Sequence, residues 1–206
     1  MTHFFHIHPD DPQLRLIRQV VEIIRNGGVI VYPTDSAYAV GCQLGNKQAL
    51  DRIRAIRNLP KSHNFTLMCS DLSELATYAS VDNPTYRLLK ANTPGPYTFV
   101  LPATREVPKR LQHPKRKTIG LRIPDNKITM EILAELREPL MSVTLILPED
   151  DLPLSDPEVI FESLEGKVDV VVDGGFCGFE PTTVVDILDG VPEVARVGKG
   201  SIQPFK

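Results

Sequence analysis

Apolar positions recur along this chain with two periods. Leu14, Ile17, Val20, Val21 and Ile24 fall three and four apart, the spacing of one helix face. They predict a helix with Asp11 as N-cap and Pro12 in its first position, stopped by Asn26-Gly27-Gly28. Val29 to Val31 then reads as a buried strand, and Pro33, which lacks an amide hydrogen, ends it. No element is assigned from there to Asn46. Asn46 caps a second predicted helix carrying Leu50, Ile53 and Ile56, with Arg52, Arg54 and Arg57 on other faces and Leu59-Pro60 as its end. Residues 65–69 read as a strand, Asp71 caps a short helix through Leu72, Leu75 and Tyr78, and 84–90 forms another.

The second half continues the mixture. Pro94-Gly95-Pro96 forces an irregular turn from which a strand leaves, and 118–123 is a further strand. Asn126 caps a helix through Ile128, Ile132, Leu133 and Leu136. Residues 140–147 alternate as a strand, 148–157 form an acidic surface loop, 157–165 a helix and 168–172 a strand. Residues 184–188 and 193–197 read as hairpin arms around Asp189-Gly190. Interspersed helices and strands predict an α/β or α+β arrangement in layers about one sheet, in a single domain spanning residues 1–206. The hairpin makes that sheet mixed rather than purely parallel.

Composition narrows the function classes. With 42% hydrophobic and 24% charged residues in 206, the chain is an ordinary globular one, able to bury a sizeable core. No apolar run approaches ~20 residues and no signal-peptide core opens the chain, so a cytoplasmic protein without a membrane partner is expected. Three cysteines, far apart and without a CxxC pair, fit a reducing compartment and exclude a zinc ribbon. His3, His6 and His8 open the chain, and His6 and His8 share a strand face. Only Asp10 and Asp11 stand near them, so a terminal strand is the simpler reading and no metal site is expected.

Net charge is −3, but it is unevenly placed. Arg105, Lys109, Arg110, Lys115, Arg116, Lys117 and Arg122 face Glu106 alone, whereas residues 149–173 are acidic. A local basic segment on an acidic chain suits an anionic partner. It lacks interleaved aromatics, so any RNA contact would be to phosphates rather than by base stacking.

Polar turns repeatedly adjoin the predicted strands: Pro33-Thr34-Asp35-Ser36, Pro94-Gly95-Pro96-Tyr97-Thr98, Ser142-Val143-Thr144, Gly174 to Gly178, and Pro181-Thr182-Thr183. Glycines and small hydroxyls allow close approach of a ligand, and Arg57, Arg122 and Arg196 supply donors for phosphates. Taken alone, the stretch 32–38 is either a turn, because Asp and Ser bond their own backbone, or a ligand-binding strand end. No Walker-type or GxGxxG phosphate loop is present, nor a nucleophile with a local base.

Five of these pieces occur in a characteristic order: Tyr32 to Tyr38, Pro94 to Thr98, Thr118 to Pro124, Thr182 to Asp186, and Arg196-Val197-Gly198. In this the chain resembles the threonylcarbamoyl-adenylate synthase-like family, YrdC/YciO, and is most similar to its YciO branch. The resemblance spans nearly the whole chain. It implies a three-layer domain with a twisted mixed sheet and a concave basic face. Synthases of the family combine L-threonine, bicarbonate and ATP into threonylcarbamoyl-AMP and pyrophosphate, used in tRNA modification, and some members are described as binding double-stranded RNA. The implied ligands are thus ATP or an adenylate, with magnesium and no tightly held cofactor, together with L-threonine and RNA.

The resemblance implies roles for individual residues. Arg57, Ser142 and Thr144 fall at catalytic positions, and with Arg122 and Arg196 they would hold the nucleotide. Thr34, His63, Thr98 and Thr182 fall on the threonine side, and Arg105, Lys109, Arg110, Lys115, Arg116 and Lys117 would face RNA. Synthases carry Lys-x-Arg where this chain has Arg57-Asn58-Leu59, and Ser-x-Asn where it has Ser142-Val143-Thr144. The glycine of their Pro-Thr-Asp-Thr-x-Tyr-Gly is Ala39 here. Loss of a positioned cation at a phosphoryl centre costs orders of magnitude in rate. The expected activity is therefore nucleotide binding with weak or altered threonylcarbamoyl-AMP synthesis or hydrolysis. The alternative is an RNA-binding protein without synthase activity.

Overall fold

The structure, a computed structural model, describes all 206 residues. In chain order the elements are β1 (His3–His6), α1 (Leu14–Arg25), β2 (Ile30–Tyr32), β3 (Ala39–Gln43), α2 (Lys47–Arg57), β4 (Thr66–Met68), α3 (Leu72–Tyr78) and α4 (Asn83–Asn92). There follow β5 (Tyr97–Pro102), β6 (Thr118–Arg122), α5 (Lys127–Leu136), β7 (Leu140–Thr144), α6 (Pro157–Leu164), β8 (Val170–Asp173), β9 (Thr183–Asp186) and β10 (Glu193–Arg196). All ten strands join one mixed sheet in the order β1-β8-β2-β3-β7-β4-β6-β5-β9-β10. Strands β9 and β10 are the expected antiparallel hairpin. No helix is long and apolar enough to cross a membrane.

Helix starts follow the caps. The side chains of Asn46, Asp71 and Asn126 accept the amides of Ala49, Glu74 and Thr129 at the heads of α2, α3 and α5, each cap stabilising its helix by about 1 kcal/mol. Helix α1 departs from expectation. It begins at Leu14 after Gln13, with no side-chain cap, not at Asp11-Pro12. The reason is local: His8 Nδ1 accepts the amides of Asp10 and Asp11 at 3.2 and 3.1 Å, and the Gln13 carboxamide accepts the His8 amide. The chain is thus held in a separate turn before the helix. Strand β7 also ends at Thr144, short of residue 147, and the Leu145 amide turns to the Tyr38 carbonyl.

Strand β3 was not foreseen. Its Ala39-Val40-Gly41-Cys42 sequence neither alternates nor carries bulky β-formers, because it lies inside the sheet between β2 and β7 with both faces buried. Gly41 is required there. A β-carbon would stand 2.9 Å from the Met141 carbonyl oxygen and 3.0 Å from the Tyr32 ring.

The pleat divides the core in two. On one face Val31, Val40, Leu67, Phe99, Leu121, Met141, Val171 and Val185 join the larger cluster beneath α2, α3, α4 and α6. On the other face Ile30, Tyr32, Ala39, Met68, Leu140, Val170 and Val172 pack against Ile17, Val20, Val21 and Ile24 of α1 and Ile128, Ile132, Leu133 and Leu136 of α5. No residue of β5, β6 or β9 enters this second cluster. Helices α1 and α5 therefore cover one half of their face and leave the other half of it open. The result is three layers with an uncovered floor.

Candidate functional site

That floor is a cavity of about 500 Å³, within the range of small-molecule sites. Strand register lays it out. Ser142 stands opposite Thr66, Thr66 opposite Gly120, Gly120 opposite Val100, and Val100 opposite Asp186. All five line the cavity, forming one row across β7, β4, β6, β5 and β9. Four strand spacings make that row roughly 19 Å long. Beside it Met68 faces Arg122, and Val184 faces both Thr98 and Arg196. Gly120 keeps the middle flat, since a β-carbon there would meet Thr66 Oγ1 at 3.1 Å and Thr98 Cγ2 at 3.3 Å.

Four guanidinium groups line this space: Arg57, Arg116, Arg122 and Arg196. Arg122 is nearly buried, and its Nη2 donates to the carboxylate of Asp35 and, at 3.3 Å, to Thr34 Oγ1. Arg116 donates to Asp186 Oδ2. Arg57, at the last position of α2, donates to the Ile146 carbonyl, and Arg196 donates to the Thr182 carbonyl at 2.9 Å. Burial lowers the pKa values of Arg57 and Arg196 without removing their charge. Five buried side-chain polar atoms in the molecule have no partner, and four of them are Arg57 Nε, Arg122 Nε, Asp35 Oδ2 and Asp186 Oδ1. Buried polar atoms are rarely left so; three of these four belong to residues that line the cavity, and the fourth to Asp35, the ion-pair partner of Arg122.

The turn after β2 supports this wall from behind. Thr34 Oγ1 donates to the Ala37 carbonyl, accepts the amides of Ser36 and Ala37 at 3.2 Å, and is buried. Ala37, not Thr34, lines the cavity. The stretch is thus a self-bonded turn, the first of the two sequence readings, and Thr34 and Asp35, expected beside the ligand, instead hold Arg122 from behind the cavity wall. Thr129 Oγ1 donates to the Pro33 carbonyl, and Tyr38 donates to the Gly175 carbonyl at 2.7 Å, tying the turn to α5 and to the glycine loop. Gly174 abuts Pro33, where a β-carbon would lie 2.8 Å from the proline ring.

Among the hydroxyls, Tyr32 donates to Ser142 Oγ at 2.6 Å. Burial raises the Tyr32 phenol far above its ordinary value, so it remains a donor at neutral pH. That leaves the serine's own proton for an acceptor in the cavity. Thr98 and Thr182 share a hydrogen bond of 2.8 Å. His63 and Thr144 also line the cavity. Burial, then the charges of Arg57 and Arg54, hold His63 below its ordinary pKa and keep it neutral at pH 7. No thiolate is on offer: burial pushes Cys177 up to about 11 and Cys42 up to about 12.

Of the sequence candidates, Arg57, His63, Thr98, Arg122, Ser142, Thr144, Thr182 and Arg196 meet in this one cavity. The basic run divides. Arg116 reaches into the cavity wall, Arg110 donates to the Gly45 carbonyl, and Lys117 donates to the Pro114 carbonyl. Arg105, Lys109 and Lys115 are exposed and make no ion pair. Leu59 packs on the larger core cluster. His6 pairs with Asp173 at 2.5 Å across β1 and β8, and His8 holds its turn. Sequence reasoning missed Asp186 and His113 as cavity residues. Asp186 ends the quoted Thr182–Asp186 motif, which was the available signal.

Comparison with known proteins fits this geometry. The model of the family described as telomere recombination, covering Sua5, YciO and YrdC, matches residues 22–198. A Haemophilus influenzae protein is 60% identical over 206 residues, covering all of both chains. Escherichia coli K12 YciO is 57% identical over 205 residues, again with all of both chains covered. The crystal structure of E. coli YciO superposes with a TM-score of 0.95 at 56% identity over the whole of both chains. P. abyssi Sua5 complexed with L-threonine shares the fold, with a TM-score of 0.87 at 22% identity, over 96% of this chain and 58% of that one. By this family-model match, these full-length relatives and the shared fold, the chain belongs to the Sua5/YciO/YrdC family.

Proposed function

We propose that the cavity binds an adenylate, ATP or threonylcarbamoyl-AMP, and that it retains weak or altered threonylcarbamoyl-AMP chemistry. The observation that carries this is the gathering of four guanidiniums and four unpartnered buried polar atoms around one floor of nucleotide length. Arg57 and Arg122 suit phosphate oxygens, with Ser142 and Thr144 as hydroxyl donors and Arg196 as a further donor to the nucleotide. Thr98, Thr182 and His63 offer neutral groups suited to an amino-acid head group, and Thr34 orients Arg122 behind them. The L-threonine complex of P. abyssi Sua5, a protein of the same fold, supports a threonine side.

In the implied reaction a carbamate oxygen attacks the α-phosphorus and pyrophosphate leaves. Catalysis then rests on cations at the phosphates. Leu59, turned to the core, supplies none, and Thr144 replaces an amide. Cavity and turn offer only Asp35 and Asp186 as carboxylates, each with one oxygen held by an arginine. This set builds no protein cage for a metal ion, so a magnesium ion would be carried on the nucleotide phosphates. Equilibrium binding of ATP and AMP, with and without threonine, tests the reading, and no binding at millimolar ligand sinks it. Assays of threonylcarbamoyl-AMP formation and breakdown, comparing the protein with its Leu59→Arg, Thr144→Asn variant, test the chemistry. Faster synthesis by the variant is expected.

A second reading rests on Arg105, Lys109 and Lys115, exposed and free of carboxylate partners. They form a surface suited to the phosphates of duplex RNA, including tRNA.

A further inference from the structure

We propose that Asp186, held by Arg116 and flanked by His113, is the residue that recognises the ribose hydroxyls of the bound nucleotide. The inference rests on the nucleotide reading above and adds the orientation and sugar specificity of the ligand. Asp186 ends the row that begins at Ser142, four strands away from it. Its Oδ2 is taken by Arg116, while its Oδ1 is buried and has no partner. An ionised carboxylate only accepts, so Oδ1 requires a donor.

His113 stands in the same wall, and its tautomer follows from its bonds. Nδ1 accepts the amides of Lys115 and Arg116 at 3.3 and 3.1 Å. That nitrogen carries no proton, so Nε2 carries it and can donate. The backbone of Arg116 therefore orients His113 while its side chain orients Asp186. This wall of the cavity thus offers a carboxylate acceptor and an imidazole donor, both held by Arg116, together with Val100 and Val184.

An adenylate has three donor groups of the right kind: two ribose hydroxyls and the exocyclic amine. Vicinal hydroxyls suit a carboxylate better, and acidic residues take ribose hydroxyls in dinucleotide-binding folds for the same reason. The apolar neighbours accommodate the base, and the phosphates run along the row toward Arg122, Arg57 and Ser142. Asp186 is thus a specificity residue, and Arg116 positions it.

The test is equilibrium titration of the full chain with ATP, 2′,3′-dideoxy-ATP and ITP. Dideoxy-ATP should bind about tenfold or more weakly than ATP, and ITP about as well as ATP, since a hydrogen bond to a charged group is of that size. Asp186→Asn should bring ATP down to the level of dideoxy-ATP and leave dideoxy-ATP unchanged. Should that variant misfold, the three-ligand comparison on the unaltered protein decides alone. Equal binding of ATP and dideoxy-ATP overturns the assignment while leaving the nucleotide site standing. A selective loss with ITP overturns it too, assigning the carboxylate to the base. Failure of ATP itself to bind removes the parent reading and this one together.

Discussion

Arg122 on β6 and Asp35 in the turn after β2 form a buried ion pair in which each partner keeps one atom unbonded. Their side chains are 6% and 10% exposed, and Arg122 Nε and Asp35 Oδ2 lack partners. Such a pair is costly to break from one side, because the remaining charge stays buried. Asp35→Leu should destabilise the fold by about 3–5 kcal/mol, a fall in Tm on the order of 10 °C for a chain of this size. Replacing both, Asp35→Leu with Arg122→Met, should recover much of that loss. Thermal unfolding of Asp35→Leu, Arg122→Met and the double variant checks it, and a double loss equal to the sum of the two single losses would show that the side chains are not coupled.

Tyr32 and Tyr38 bring a pH dependence on the alkaline side. Burial raises both phenols well above 10, and both donate inside the fold, to Ser142 Oγ and the Gly175 carbonyl. In the unfolded chain they ionise near pH 10, whereas in the folded chain they keep their protons. The unfolded state then binds fewer protons, so stability is full below pH 10 and falls as pH rises above it. Denaturant unfolding from pH 8 to 11 should show this slope. Tyr32→Phe should flatten part of it and cost about 1–2 kcal/mol at neutral pH for the lost hydrogen bond.

His63 reports on the charge of Arg57. Its pKa is lowered by burial first and by the charges of Arg57 and Arg54 next. The folded chain thus resists protonating it where the unfolded chain accepts the proton. Its contribution to stability is present above about pH 6.5 and is lost as pH falls through the lowered folded value. Arg57→Met should move the imidazole titration upward, toward the ordinary histidine range. A bound phosphate-bearing ligand, by screening Arg57, should do the same. Proton NMR of the ring follows both, and an unmoved titration in the Arg57 variant would refute the electrostatic link.

The exposed basic loop makes a separable claim. Triple charge reversal, Arg105→Glu, Lys109→Glu and Lys115→Glu, should abolish salt-dependent binding to duplex RNA and leave ATP binding within about twofold, since none of the three lines the cavity. Fluorescence anisotropy at two salt concentrations reads the first, and nucleotide titration the second. Undiminished RNA binding by the reversed variant would exclude this surface.

Local chemistry made much of the fold legible. Asn46, Asp71 and Asn126 cap helices in the structure because an N-cap bond involves residues only three apart. The hairpin around Gly190, at φ +77°, is readable for a similar reason. The start of α1 was misplaced because the competing partner, the His8 ring, came from outside the capping pattern. Strand β3 escaped notice because burial on both faces removes the alternation by which strands are recognised, and its short side chains answer to Tyr32 and Met141.

The candidate site divides in the same way. The amino-acid order by itself singled out candidates: the arginines, the hydroxyl turns and the motif that Asp186 ends, though not Asp186 itself. Only the tertiary structure decided which of them meet. It sent Arg116 out of a surface run into the cavity, set Leu59 against the core, and put Thr34 behind the wall. The physical reason is register. Ser142, Thr66, Gly120, Val100 and Asp186 lie on five strands far apart in the chain, and only ladder pairing places them in one row. The reach of α1 and α5 then settles which half of that sheet face stays open.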